Sequence, residues 1–276
     1  APCVARFGGA DGTDANVIHF TWMAFDFIPT NVSDPGRVVH YTRYTDPEDY
    51  PSMSFGTGYN GIHITGELNR GGYSNVDVNV SNRAQVGFHQ AENDIAFEPQ
   101  QPWHAEFPFL DETYQLYPQS GYDNSCPVVL APRLTADRSS EVVHEIAHSF
   151  NDICPDHKLW YWRFNPVTFS WDGPGFISNT EDLSYALAVD AQSNKVAVVV
   201  HGNDAGPTNV YYIESAMNGT DWLPSASPLP KTAITDYTDP LGPQAWLHLA
   251  ATYDNSTPGA LHVMWDEQRI DGSEHV

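Results

Sequence analysis

The chain has 276 residues, and 35 acidic side chains against 12 Lys plus Arg leave a net charge of −23. Nucleic acids and anionic membranes both recruit basic surfaces, so neither is expected as a partner. Aromatic residues make up 13% of the chain and charged residues only 17%, which separates it from disordered acidic tails and predicts a folded core. The 21 Pro and 20 Gly are spread along the whole length, predicting frequent turns and little room for long helices. No apolar run is long enough to cross a bilayer, so a membrane-spanning chain is not expected.

Taken in chain order, the alternating apolar segments repeat. Residues 16–26 (NVIHFTWMAFD) form the earliest strand with a His, followed by an aromatic strand at 38–44 (VVHYTRY) and a less regular one near 52–55. The next unit places strands at 74–80, 84–94, 103–109 and 114–117. A third has 128–134, 141–152, 159–164 and a segment near Trp171; a fourth has 184–190, 195–204 and 210–215. A fifth begins with 246–252 and 260–268 and then runs out of residues. His19, His89, His148, His201 and His262 serve as register marks for the repeat.

Four short antiparallel strands repeated at this spacing are the pattern of an all-β propeller with four-stranded blades. A single four-stranded sheet leaves apolar faces wet, and stacking blade on blade buries both of them. That accounts for near-continuous runs such as VAVVV at 196–200, where a half-exposed sheet would alternate strictly. The expectation is one domain over 1–276, with blades near 1–68, 69–122, 123–179 and 180–241 and an incomplete fifth at 242–276. An unfinished blade exposes a sheet edge. The preferred explanation is that the chain is a piece of a longer protein; the rivals are another chain, or the segment CVARFGG at 3–9, covering that edge.

The stretch VVHEIAHSF at 142–150 contains the zinc-protease spelling His-Glu-x-x-His. On a helix His144 and His148 would share a face and ligate Zn²⁺, with Glu145 as general base. Three features oppose this. At metzincin spacing Asn151 stands where Gly is needed and Cys154 where the third His is needed, and no downstream Glu lies on an obvious second helix. The segment also falls in register with strands that lack the motif. A strand there is the expectation, which sends His144, Ile146 and His148 to one face and Glu145 to the other.

The segment SAMNGTDW, Ser215 to Trp222, resembles a degenerate Asp-box of the sialidase-like propellers, Ser-x-Asp-x-Gly-x-Thr-Trp. Ser215, Gly219 and Trp222 match, while Met217 replaces the Asp and Asp221 the Thr. The resemblance implies a divergent member of that propeller superfamily and leaves activity open. A sialidase would need an arginine cluster for its substrate carboxylate, and only Arg6 and Arg133 lie on or near the innermost strands.

Other features have structural roles as their first reading. The repeated His residues are expected as packing and hydrogen-bonding devices of the repeat, not a metal ring. Asp26, Asp94, Asp152, Asp204 and Asp266 are expected to fix turns, with calcium as the sharper alternative at 92–98 (ENDIAFE), although no EF-hand pattern is present. Trp160 and Trp162 are expected in core, not on a sugar platform. Of Cys3, Cys126 and Cys154, the second and third are the preferred disulfide. Sequons at Asn31, Asn79, Asn218 and Asn255 fit export. The functional expectation is an extracellular or cell-surface propeller that binds a glycan or another protein without catalysis. A carbohydrate-active enzyme is the first alternative and the zinc hydrolase the second.

Overall fold

The computed structural model describes residues 3–7, 17–26, 36–45, 61–65, 71–91, 100–107, 113–119, 128–149, 157–180, 184–202, 209–236, 249–254, 256–265, 267–268 and 274–275. Among them every regular element except one 3₁₀ turn is a β-strand. The first sheet has the order β1-β2-β3-β4, from strands Cys3–Phe7, Val17–Asp26, Gly36–Thr45 and Ile62–His63. The second, β5-β6-β7-β8, uses Gly71–Val78, Ala84–Ala91, Gln100–Phe107 and Gln115–Pro118. The third runs β12-β11-β10-β9, where β9 is Val129–Ala136, β10 Val143–Ser149, β11 Lys158–Asn165 and β12 Ser170–Asn179. The fourth is β13-β14-β15-β16, over Tyr185–Asp190, Lys195–Gly202, Asn209–Ser215 and Thr232–Ala233. Two further pairs follow: β17 (Leu249–Tyr253) with β18 (Leu261–Trp265), and β19 (Glu267–Gln268) with β20 (Glu274–His275).

Each four-stranded sheet takes its strands in sequence order, joined antiparallel, as the repeat predicts. The expected strands near 114–117 and 171 fall within β8 and β12, whereas 52–55 lies outside the described residues. The segment at 3–9, named above as one of the rival covers for the last sheet, contributes Cys3–Phe7 as β1, which pairs with β2 from Cys3↔Thr21 to Phe7↔Val17.

Contacts divide the chain into two compact units, residues 1–119 with 127–143, and residues 120–126 with 144–276. In the first, Val39, Tyr41 and Ile64 of one sheet pack on Val76, Val86, Phe88 and Phe107 of the next. In the second, Ile146, Leu159, Tyr161 and Ile177 pack on Tyr185, Val196, Val198 and Val200, and the far side of β14 packs on β17 and β18 through Val199, Leu249, Leu261 and Val263. The second strands β6 and β10 are buried at every residue, their Gln, His, Glu and Ser included, and β14 at every residue after Lys195; cover on both faces is why β14 reads as a near-continuous apolar run and not as alternation. β18 differs: its residues alternate between half-buried and exposed, and Met264 is 62% exposed.

First strands lie beside first strands. Within the first unit β5 adjoins both β1 and β9, and within the second β13 adjoins β17. In the first unit side chains tie these neighbours together: Asn75 Nδ2 donates to Pro132 O and its Oδ1 accepts Leu134 N–H at 2.9 Å. Asp77 Oδ2 accepts from Thr135 Oγ1 and Ala136 N at 2.9 and 3.0 Å. The turn after each described first strand from β5 onward is closed by an Asn or Asp side chain that accepts backbone N–H groups: Asn79, Asp137, Asp190 and Asp254. The acids singled out in the sequence come after the second strands instead, and their side chains lie outside the described residues.

Candidate functional site

Residues 143–149 are strand β10, so the zinc-protease arrangement does not form. Four residues of strand separate His144 from His148 by about 13 Å, whereas two ligands of one zinc stand within about 4 Å of each other. Glu145 points to the opposite face. Each imidazole has a different partner: His144 Nδ1 meets Tyr161 Oη at 2.7 Å, and His148 Nδ1 meets Tyr185 Oη at 3.3 Å. Burial and then the charge of His157 lower the His148 pKa to about 3, while burial raises the Glu145 carboxyl well above the usual range.

The His–Tyr pair is a device of the repeat. His19 Nδ1 meets Tyr41 Oη, also at 2.7 Å, and in both sheets an arginine follows the tyrosine by two residues, Arg43 and Arg163. In the second sheet Gln85 and His104 occupy the same two places, with Glu106 after them. The five register histidines therefore belong to two rows four residues apart, which corrects the single row read from the sequence. His19 shares a row with Gln85 and His144. His89 and His148 form the second row, and each bonds to the next first strand, His89 Nδ1 accepting Ala131 N–H at 3.3 Å. The hydrogen-bonding role expected for the repeated histidines is the one seen for these.

The Asp-box segment forms a tight turn ending in the 3₁₀ turn Thr220–Trp222. Ser215 Oγ accepts Gly219 N–H at 2.8 Å and Met217 N–H at 3.2 Å, and donates to Asp221. The carboxylate missing at Met217 is thus supplied four residues later. Trp222 is buried edge-on against Tyr161, ring centres 5.0 Å apart.

The remaining candidates sort by burial. Trp160, Tyr161 and Trp162 are all buried and form core, as expected. Asn79 is buried, with Oδ1 accepting Ser81 and Arg83 N–H, so this sequon does not present its amide to solvent; the physical reason is its part in the turn. Asn218 is half-buried. Asn31, Asn255, Cys126, Cys154 and the loop 92–98 lie outside the described residues. Among those described, no group of three or more His, Cys, Asp and Glu could hold a metal ion, and no helix is long and apolar enough to cross a membrane. Tyr253 Oη donates to Glu214 at 3.0 Å while Lys195 donates to the same carboxylate at 2.7 Å. Burial and then Glu214 push the Tyr253 phenol upward, so at neutral pH it is a donor and not a phenolate nucleophile.

An exposed corner remains at the start of β5 and β9. Tyr73 and Ala131, at matching places on these strands, have φ of +50° and +51°, a region L-residues seldom occupy and one that costs about 1–3 kcal/mol. The Tyr73 ring is 44% exposed and leans on His89 at 5.4 Å. Arg133, two residues beyond Ala131, is exposed between Pro132 and Leu134, the two residues clamped by Asn75. The sequence reading noted Arg133 but missed Tyr73, whose only signal was the Gly71-Gly72 pair before it. A Cβ on Gly71 would lie 2.4 Å from Thr65 Cγ2, so the chain must pass there without side chains.

No family model and no curated protein matches the chain. Solved structures do. A protein of unknown function from Dyadobacter fermentans superposes with a TM-score of 0.59 at 12% identity, over 99% of this chain and 73% of that one. A Hadza microbial sialidase gives 0.53 at 13% identity, over 96% of this chain but 52% of its own, so the chain spans about half of it. A mutant α-L-arabinofuranosidase from Fusarium graminearum, in complex with an iminosugar inhibitor, gives 0.54 at 13% identity, over 98% and 77%. The fold is a β-propeller. Its blades are the four four-stranded sheets, with β17 and β18 as part of a fifth, and the adjoining first strands are the innermost. Tyr73 and Arg133 therefore stand on the innermost strands of neighbouring blades.

Proposed function

We propose that this propeller acts outside the cytoplasm as a glycan-binding module, with the Tyr73 ring and the Arg133 guanidinium as its contact residues. The observation that carries this reading is an exposed aromatic ring on an innermost strand, braced by His89 on strained backbone. Such a ring stacks on the apolar face of a sugar, and a neighbouring guanidinium supplies forked donors for hydroxyl or carboxylate oxygens. Two of the structural neighbours named above are enzymes that act on glycosides, which supports sugars over proteins as ligands. In an extracellular setting Cys126 and Cys154 would pair, and Asn31, Asn218 and Asn255 would remain as glycosylation candidates. The exposed β18 would take further strands from this polypeptide or another.

The same neighbours favour a carbohydrate-active enzyme as the second reading. Both readings are separated by one pair of measurements on the full chain. Glycan-array binding that Tyr73→Ala reduces at least tenfold, without release of reducing sugar from the bound glycans, is the expected result. Turnover would assign the enzyme; binding untouched by Tyr73→Ala and Arg133→Ala would remove this corner as the site.

A further inference from the structure

One imidazole touches both strained positions of the Tyr73 corner. Tyr73, with φ of +50°, sets its ring 5.4 Å from the His89 ring, and Ala131, with φ of +51°, donates its N–H to His89 Nδ1 at 3.3 Å. The backbone just before Tyr73 closes on the same side chain. A Cβ on Gly72 would lie 3.0 Å from Met23 Sδ and 3.3 Å from His89 Nε2, so bare chain is wedged between them. Beyond Tyr73, Asn75 holds Pro132 O and Leu134 N–H, the residues on either side of exposed Arg133. Strained backbone persists only where its surroundings over-determine it, and here His89 and Asn75 do so together.

The repeat itself does not call for this strain. His148 stands in the same row one blade on and reaches the next first strand too, but it meets a side chain there, Tyr185 Oη, and no residue of β13 has left-handed backbone. Tyr185 is also buried, at 1% exposure, whereas the Tyr73 ring faces solvent. We propose that His89 is the positioning residue of the glycan site, a role that rests on the reading given under Proposed function: its imidazole holds the Tyr73 ring and the strand that carries Arg133 at one spacing. A neutral imidazole that accepts through Nδ1 carries its proton on Nε2. The side chain therefore does two separable jobs, its ring supporting Tyr73 and one nitrogen holding Ala131. A ligand that stacks on Tyr73 while bonding Arg133 meets both groups already ordered, which lowers the entropy cost of binding.

The test uses the full chain and two substitutions that separate these jobs. His89→Phe keeps a flat ring beside Tyr73 and removes the acceptor; His89→Gln keeps an acceptor and removes the ring. Nitrogen NMR of the parent at neutral pH should show His89 Nδ1 unprotonated. His89→Phe should speed amide exchange at Ala131 by about tenfold and leave Leu134, held by Asn75, unchanged. His89→Gln should restore protection at Ala131 and shift the Tyr73 ring protons. Each should lower affinity by about tenfold for the array glycan that the parent holds most tightly. The losses are expected to be non-additive along defined lines: His89→Gln adds nothing to Tyr73→Ala, and His89→Phe adds nothing to Arg133→Ala. A residue that only supported the fold would lower affinity by the same factor in every background. Unchanged exchange at Ala131 in His89→Phe overturns the proposal, as does a loss from His89→Gln that persists undiminished on Tyr73→Ala. A parent chain that binds no glycan overturns the glycan reading alone, and exchange at Ala131 with the Tyr73 ring signal then decides whether His89 holds the corner.

Discussion

Glu145 is buried in a strand whose two faces are both covered, and burial alone holds its carboxyl well above the usual range. The sign follows from linkage. Above the unfolded value near 4.5 the unfolded chain releases this proton while the folded chain retains it, so stability from Glu145 falls as pH rises toward the folded value. Glu145→Gln removes that penalty. The variant is expected to melt higher than the parent at pH 8, by a few degrees, and to match it near pH 4, measured by thermal unfolding across pH. A general base on a metal-bound water would behave otherwise, since its replacement would remove activity and leave the pH dependence of stability alone. The same five letters carry either role, and only the period of the backbone decides which.

Elements were far more legible than sites. Strand positions followed from alternation and from runs that only a strand covered on both sides can hold, and β6, β10 and β14 lie within the segments expected for them. Short outer strands such as β4 and β16, two residues each, carry no period to detect. The Asn75 clamp joins residues 57 and 59 apart in sequence, and the Tyr73 corner depends on a bulge between Gly72 and Asn75; no local pattern announces either. The Asx turns could have been found, because Asn79, Asp137, Asp190 and Asp254 all follow a first strand and precede Ser within four residues. Asp190 does more than close its own turn. Its carboxylate accepts Gln192 and Ser193 N–H and also Gly259 N–H at 2.7 Å from the β17–β18 turn. Burial works to raise its pKa, but hydrogen bonds from Ser193, Gly259 and Gln192 outweigh it and hold the group below its ordinary value. Asp190→Ala should therefore lose at least about 3 kcal/mol in urea unfolding, the worth of two hydrogen bonds to a charged group at about 1.5 kcal/mol each, and speed hydrogen exchange at Gly259. Asp254→Ala, confined to its own turn, should lose less and leave exchange at Gly259 unchanged.

At the scale of the whole molecule two electrostatic effects act in opposite directions on acidification. The net charge of −23 shrinks toward zero near pH 4.5, which relieves self-repulsion and favours the folded state. Against it stand histidines buried in both units. Burial, with help from Arg43, lowers His19 to about 4; burial alone lowers His104 to about 3; burial and His157 lower His148 to about 3. Each folded value lies below the unfolded one near 6.5, so between the two the unfolded chain binds the proton and the folded chain does not. Stability is complete above pH 6.5 and drains as pH falls, by about 1 kcal/mol per pH unit for each histidine. Three such groups outweigh the single opposing gain from buried Glu145 together with the relief of a diffuse surface charge that salt already screens. The urea midpoint should accordingly fall between pH 6.5 and pH 4.5. Added sodium chloride should raise the midpoint at pH 7, where self-repulsion is largest, and fail to restore it at pH 5, where the buried imidazoles decide. His104→Gln, which keeps a polar partner beside Gln85, should flatten the acid limb relative to the parent; a limb of unchanged slope would mean that its imidazole is already protonated in the fold.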